Sequence, residues 1–168
     1  MAFEPESNDF EQLKQGIKLN KFDNVKACQT AVGSKDGEVT LNISNKSNLH
    51  NIRSKSKSGN PNIQKVQSKK IDTILDGIER EYELTIIRID VEGFEDEVFK
   101  GMQNFVQGRE DSIIITELHS NLTGQNISEM VDMLTTNDFE VDFYTESSGK
   151  IGYNEVQGQN SYLIAQRK

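Results

Sequence analysis

Asp90, Glu92, Glu117 and His119 are the residues whose types and spacing suit proton chemistry. Glu117 and His119 stand at i and i+2 in "IIITELH", so in an extended strand both project from one face. An imidazole titrates near neutrality and can take the proton of a hydroxyl group, although a lone histidine more often serves structure. Asp90 and Glu92 follow a second isoleucine-rich run in "IIRIDVEGFEDEVFKGM", residues 86–102. A carboxylate ending a covered strand is expensive to bury alone. Either a bound ammonium or hydroxyl compensates Asp90, or Arg88, two residues back on the same face, pairs with it. Glu92 sits where a helix begins, a place where acids also serve the helix dipole. Glu95, Asp96 and Glu97 read as solvated surface, and His50, in a polar stretch, as exposed.

The elements that must position these residues alternate along the chain. "MAFEP" is a short strand, after which Phe10, Leu13 and Ile17 recur on one helix face. "NVKACQTAVG" and "GEVTLNIS" read as strands joined by a turn over residues 33–37. Residues 45–70, rich in Ser, Asn and Lys, read as a flexible loop. Ile71, Ile74, Leu75 and Ile78 then mark a short helix. "LTIIRIDV" is nearly all apolar and β-branched, as expected of a central strand covered on both faces. Val98, Phe99, Met102, Phe105 and Val106 line one side of a single helix, and "SIIITELH" is a second central strand. Asn126 with Glu129 makes a capping pair for a helix facing inward through Ile127, Met130, Val131 and Leu134. "FEVDFYTE" and "NSYLIAQRK" form a closing antiparallel pair. The order predicts an α/β sheet with helices on both faces. In such sheets ligands bind outside the carboxyl ends of the strands. Three runs here end in acid: Glu4 after "MAF", Asp90 after "IIRI", and Glu117 with His119 after "IIIT".

Composition excludes several classes of function. The chain has 168 residues, enough for one domain with a core. A hydrophobic share of 34% and a charged share of 27% indicate a globular rather than a disordered protein. The net charge of −8 repels a phosphate backbone, so nucleic acid is not an expected partner. The lone cysteine, Cys28, has no internal partner for a disulfide and reads as a small buried hydrophobe. No apolar run reaches the roughly 18 residues of a membrane span, and no signal pattern opens the chain, which places the protein in the cytoplasm and away from membranes.

The stretches "AFEPESNDFEQLKQGIKLN", "AVGSKDGEVTL", "KKIDTILD", "IIRIDVEGFEDEVFKGM" and "IIITELH" occur in the order found in the FkbM-type methyltransferases, which the chain resembles over nearly its whole length. The resemblance implies a Rossmann-like class I methyltransferase sheet and S-adenosylmethionine as cofactor. It also implies transfer of a methyl group to a hydroxyl of a small molecule or glycan, such as a sugar or another secondary alcohol. It assigns Glu4 to the cofactor ribose, Ala31 and Val32 to the border of the adenine, and Asp90 to the cofactor as well as to catalysis. One departure stands out. Members of the family open with a strand and a glycine-rich loop of the kind D-x-G-A-N-x-G, about twenty residues before the ribose acid, whereas Glu4 follows only three residues. Gly149, Gly152 and Gly158 do not replace that loop. The resemblance therefore implies an N-terminally truncated domain missing its first strand and helix. Either the strands ending at Glu4 and Asp90 pair directly, or a gap between them leaves backbone groups unpaired.

Two further readings stay open. One is a non-catalytic remnant or binding module that keeps the acid-lined crevice without cofactor. The other takes Asp90, Glu92, Glu117 and His119 as ligands of a divalent metal in a hydrolase, for which no D-x-D or H-x-H spacing speaks.

Overall fold

The computed structural model describes residues 1–43, 62–78, 83–108, 111–119, 126–156 and 160–167. His50 lies outside them. The order of elements is strand β1 (Ala2–Phe3), helix α1 (Ser7–Leu19), strands β2 (Ala27–Cys28), β3 (Ala31–Val32), β4 (Gly37–Ile43) and β5 (Asn62–Lys69), helix α2 (Ile71–Asp76), strand β6 (Thr85–Ile89), helices α3 (Glu95–Lys100) and α4 (Gln103–Gly108), strand β7 (Ser112–Leu118), helix α5 (Ile127–Thr136), and strands β8 (Phe139–Thr145), β9 (Gly149–Ile151) and β10 (Ser161–Arg167).

The largest sheet has five strands in the order β6-β7-β10-β8-β9. β6 and β7 are parallel, while β10 runs antiparallel to both β7 and β8, the pairing expected of the last two runs. A separate sheet is ordered β3-β5-β4, and β1 pairs in parallel with β2. The mixed α/β order, with a main sheet and helices packed on it, is consistent with a Rossmann-like methyltransferase fold. β1 does not pair with β6 among the described residues, so of the two arrangements expected for these strands the second is found. β6 is consequently an edge strand and is not covered on both faces: Ile86 is 58% exposed. Thr85 N–H donates to Asp111 O on the β7 side. By the alternation of a parallel ladder, the backbone groups of Ile86 and Arg88 then face the open side.

Three other expectations are corrected. "NVKACQTAVG" does not form one strand; it divides into β2 and β3, which belong to different sheets. Residues 62–69, read as the end of a loop, form β5, the central strand of its sheet, with Val66 and Ser68 buried. The single helix expected after β6 is broken into α3 and α4 at Gly101 and Met102. At the break Gly101 O accepts the Asp72 N–H at 3.0 Å. A Cβ on Gly101 would lie 2.1 Å from Gly33 O, so only glycine allows the two backbones to approach.

The core lies between α3, α4 and α5 and the inner face of the main sheet. Val98, Phe99, Met102, Phe105 and Val106 meet Ile114, Leu118, Met130, Leu134 and Leu163, all buried. Each such side chain contributes about 1.5–3 kcal/mol when withdrawn from water. α1 contrasts with this. It is capped by Glu6, whose Oε2 accepts the Asp9 N–H at 2.8 Å, yet none of its residues is buried.

α2 and α4 interlock through Asp72, which is 8% exposed. Its carboxylate accepts the N–H groups of Phe105 (2.9 Å) and Asn104 (3.1 Å) at the start of α4, two of the donors that a helix start leaves without partners. Its own N–H donates to Gly101 O at 3.0 Å. Asp72→Ala strands both donors in a buried place and is expected to lower the unfolding free energy by about 1–3 kcal/mol. Urea denaturation monitored by circular dichroism measures the loss, and an unchanged midpoint would show the cap to be idle.

Candidate functional site

The site is built where β6 and β7 end side by side. After Ile89 the chain passes through Asp90 and Val91 and then turns on Glu92 (φ 48°) and Gly93 (φ 87°). A left-handed glutamate is disfavoured by roughly 1–2 kcal/mol. Two such residues in succession reverse the backbone ahead of α3 and bring Glu92 toward the end of β7. There Glu117 remains partly exposed, Leu118 faces the core, and His119 is 7% exposed.

His119 is the centre of the arrangement. Its Nε2 lies 3.6 Å from Glu92 Oε2 and 3.6 Å from Glu117 Oε1, while its Nδ1 lies 2.6 Å from Glu95 Oε1. Burial pulls the imidazole pKa down more than any other influence. The Glu95 hydrogen bond and the charges of Glu95, Glu92 and Glu117 together outweigh it and hold the pKa above the ordinary histidine value. Burial likewise raises the pKa of Glu92, helped by Asp90, Glu117 and Glu95 and opposed by His119. On β10, Tyr162 stands opposite Glu117 in the ladder, and that carboxylate is the main reason its phenol pKa is raised.

Asp90 departs from its expected setting. It is exposed rather than buried in a central strand, because β6 is an edge, and Arg88 Nη2 reaches its Oδ2 at 3.1 Å. Asp90, Glu92 and His119 each bring one donor atom within 4.8 Å of the others, a spacing that a shared proton or a divalent ion can draw together. Arg88, the cation beside them, offsets part of the negative charge.

Beside this cluster lies a cavity of about 730 Å³ between β1, β3 and β6, with Glu4, Ala31, Val32, Asp90 and Glu92 on its wall. Glu117 and His119 do not line it; Glu92 connects them to it. Glu4 Oε1 accepts the Glu6 N–H at 2.8 Å, which holds the carboxylate at the end of β1.

A model of the methyltransferase FkbM domain matches residues 1–141. The chain belongs to the FkbM methyltransferase family. No curated protein and no solved structure matches it. Membership identifies an FkbM enzyme, a methyltransferase, and implies S-adenosylmethionine as the cofactor. The cavity suits that molecule in size, since small-molecule sites span about 300–1,000 Å³. It also suits it in chemistry, its wall carrying apolar Ala31 and Val32 together with carboxylates able to accept from hydroxyl and ammonium donors.

The residue missed in the sequence of this FkbM enzyme is Glu95. Read as solvated, it has none of its surface exposed, and Asp96 is buried as well; Glu97 is half-buried and paired with Lys100. The signal was present. Glu95, Val98, Phe99 and Met102 stand at i, i+3, i+4 and i+7, so Glu95 occupies the buried face of its helix. Cys28 also differs from expectation, being only partly covered.

Proposed function

We propose that the chain is an S-adenosylmethionine-dependent O-methyltransferase acting on a hydroxyl of a sugar or another secondary alcohol. The observation that carries the reading is that Glu4, Ala31, Val32 and Asp90 share one cavity, while Glu92 on its wall leads to His119 and Glu117. Glu4 would hold the ribose hydroxyls and Asp90 the ammonium group, with Ala31 and Val32 against the adenine. Bound there, the cofactor supplies an electrophilic methyl group. The chain's own residues then serve the acceptor. His119 Nε2, flanked by Glu92 and Glu117, takes the hydroxyl proton, and positioning the acceptor oxygen beside it does the remaining work. Carboxylates around that point disfavour phosphorylated or acidic acceptors by like-charge repulsion.

Titration calorimetry of S-adenosylmethionine against the chain tests the cofactor assignment. Binding by the native chain is expected, weakened roughly 10- to 100-fold in Glu4→Ala, the loss of hydrogen bonds to a charged acceptor. Absence of binding by the native chain overturns the reading. Binding without methyl transfer to any of a panel of sugar alcohols selects the second reading, a binding module, which is favoured by the failure of β1 to pair with β6.

A further inference from the structure

A carboxylate shut away from water needs donors, because an unpaired buried charge is strongly unfavourable. Glu95 has 0% of its surface exposed. Its Oε1 meets His119 Nδ1 at 2.6 Å and accepts the Gly93 N–H at 3.2 Å. Where the carboxylate accepts at both contacts, the proton of the short one belongs to Nδ1. The opposite ring nitrogen, Nε2, makes no hydrogen bond among the described residues and looks toward Glu92 and Glu117, each 3.6 Å away. Glu92 is also the wall of the cavity.

We propose that Glu95 is the positioning residue of this site: it fixes the imidazole tautomer of His119 and aims Nε2 at the acceptor hydroxyl. The role in turnover rests on the transferase reading; the effect on His119 does not. In the proton step the acceptor O–H bond breaks, its proton passes to Nε2, and the proton on Nδ1 stays where it is. The positive charge that forms on the ring is held by Glu95 from α3, Glu92 from the turn after β6, and Glu117 from β7. Asp90, paired with Arg88, also brings an oxygen within 4.8 Å of a ring nitrogen, and Tyr162 of β10 stands opposite Glu117 in the ladder. A purely structural ion pair has no need of a second nitrogen facing Glu92, a carboxylate on the cavity wall.

Nitrogen-15 NMR of labelled histidine tests this, with only His50 and His119 to assign. In the native chain the neutral form of His119 is expected to carry its proton on Nδ1. In Glu95→Gln its titration moves to lower pH and the tautomer preference weakens. The acid limb of the rate–pH profile moves to lower pH with it, methyl transfer falls at least about ten-fold, and cofactor affinity stays unchanged. Glu95→Asp, which keeps the charge, restores the titration in part. An unchanged tautomer and titration in Glu95→Gln overturn the proposal, as does a loss of turnover matched by an equal loss of cofactor affinity. Should the Gln variant not fold, the native spectrum decides, because a neutral His119 protonated on Nε2 also overturns it. A native chain that transfers no methyl group while the tautomer depends on Glu95 defeats the transferase reading and upholds the control of His119.

Discussion

Gly101→Ala is expected to destabilise the protein by about 1–3 kcal/mol or more, the usual penalty for forcing atoms into a filled space. That corresponds to a melting temperature lower by roughly 2–12 °C for a chain of this size. The new Cβ would lie 2.1 Å from Gly33 O and 3.0 Å from Gly33 C. Both are backbone atoms that cannot swing aside, so α3 and the turn after β3 must separate. The same change at Gly16, inside α1 with nothing within 4 Å of its Cβ, is expected to raise stability by about 0.5–1 kcal/mol through helix propensity. Paired melting curves check both signs. A melting temperature of Gly101→Ala at or above that of the native chain would show that the close approach is not what requires a glycine at position 101.

His119→Asn is expected to reduce methyl transfer about 10²- to 10⁴-fold, the range for removing a positioned general base, with folding and cofactor affinity kept. Asparagine is chosen because its amide can still donate to Glu95, so the buried carboxylate retains a partner, while nothing remains at the place of Nε2. Single-turnover rates with a saturating acceptor separate the proton step from binding. A rate near that of the native chain would remove His119 from the chemistry and leave Glu92 or Glu117 to accept the proton.

The parts of this fold that local patterns encode were legible. Asn126 accepts the Glu129 N–H at the start of α5, and the alternation in "FEVDFYTE" and "NSYLIAQRK" gives the antiparallel β8 and β10. The parts set by distant neighbours were not. β5 is central in its sheet, but Val66 is the only large apolar residue on its buried side, so its pattern resembles a polar loop. Periodicity runs through Met102 without a break, because a contact between two glycines far apart in sequence leaves no periodic trace. For the site, Glu92 and Glu117 each lie 3.6 Å from His119, a proximity that their strand-end places suggest. Glu95 is hard to read because a charged side chain signals solvent even where its phase places it on the buried face of a helix. Asp90 was given a buried setting because an isoleucine-rich strand reads as central even when it lies at an edge.

That edge has a consequence for the behaviour of the protein in solution. Leu84 is 47% and Ile86 58% exposed, beside backbone groups with no strand against them in the described residues. An apolar, β-branched edge is a template on which other chains can add. The net charge of −8 keeps copies apart only while it is unscreened, within about 10 Å at 0.1 M salt. Low ionic strength and low concentration oppose such addition, and high concentration at high salt is expected to promote it, which light scattering over a salt series measures.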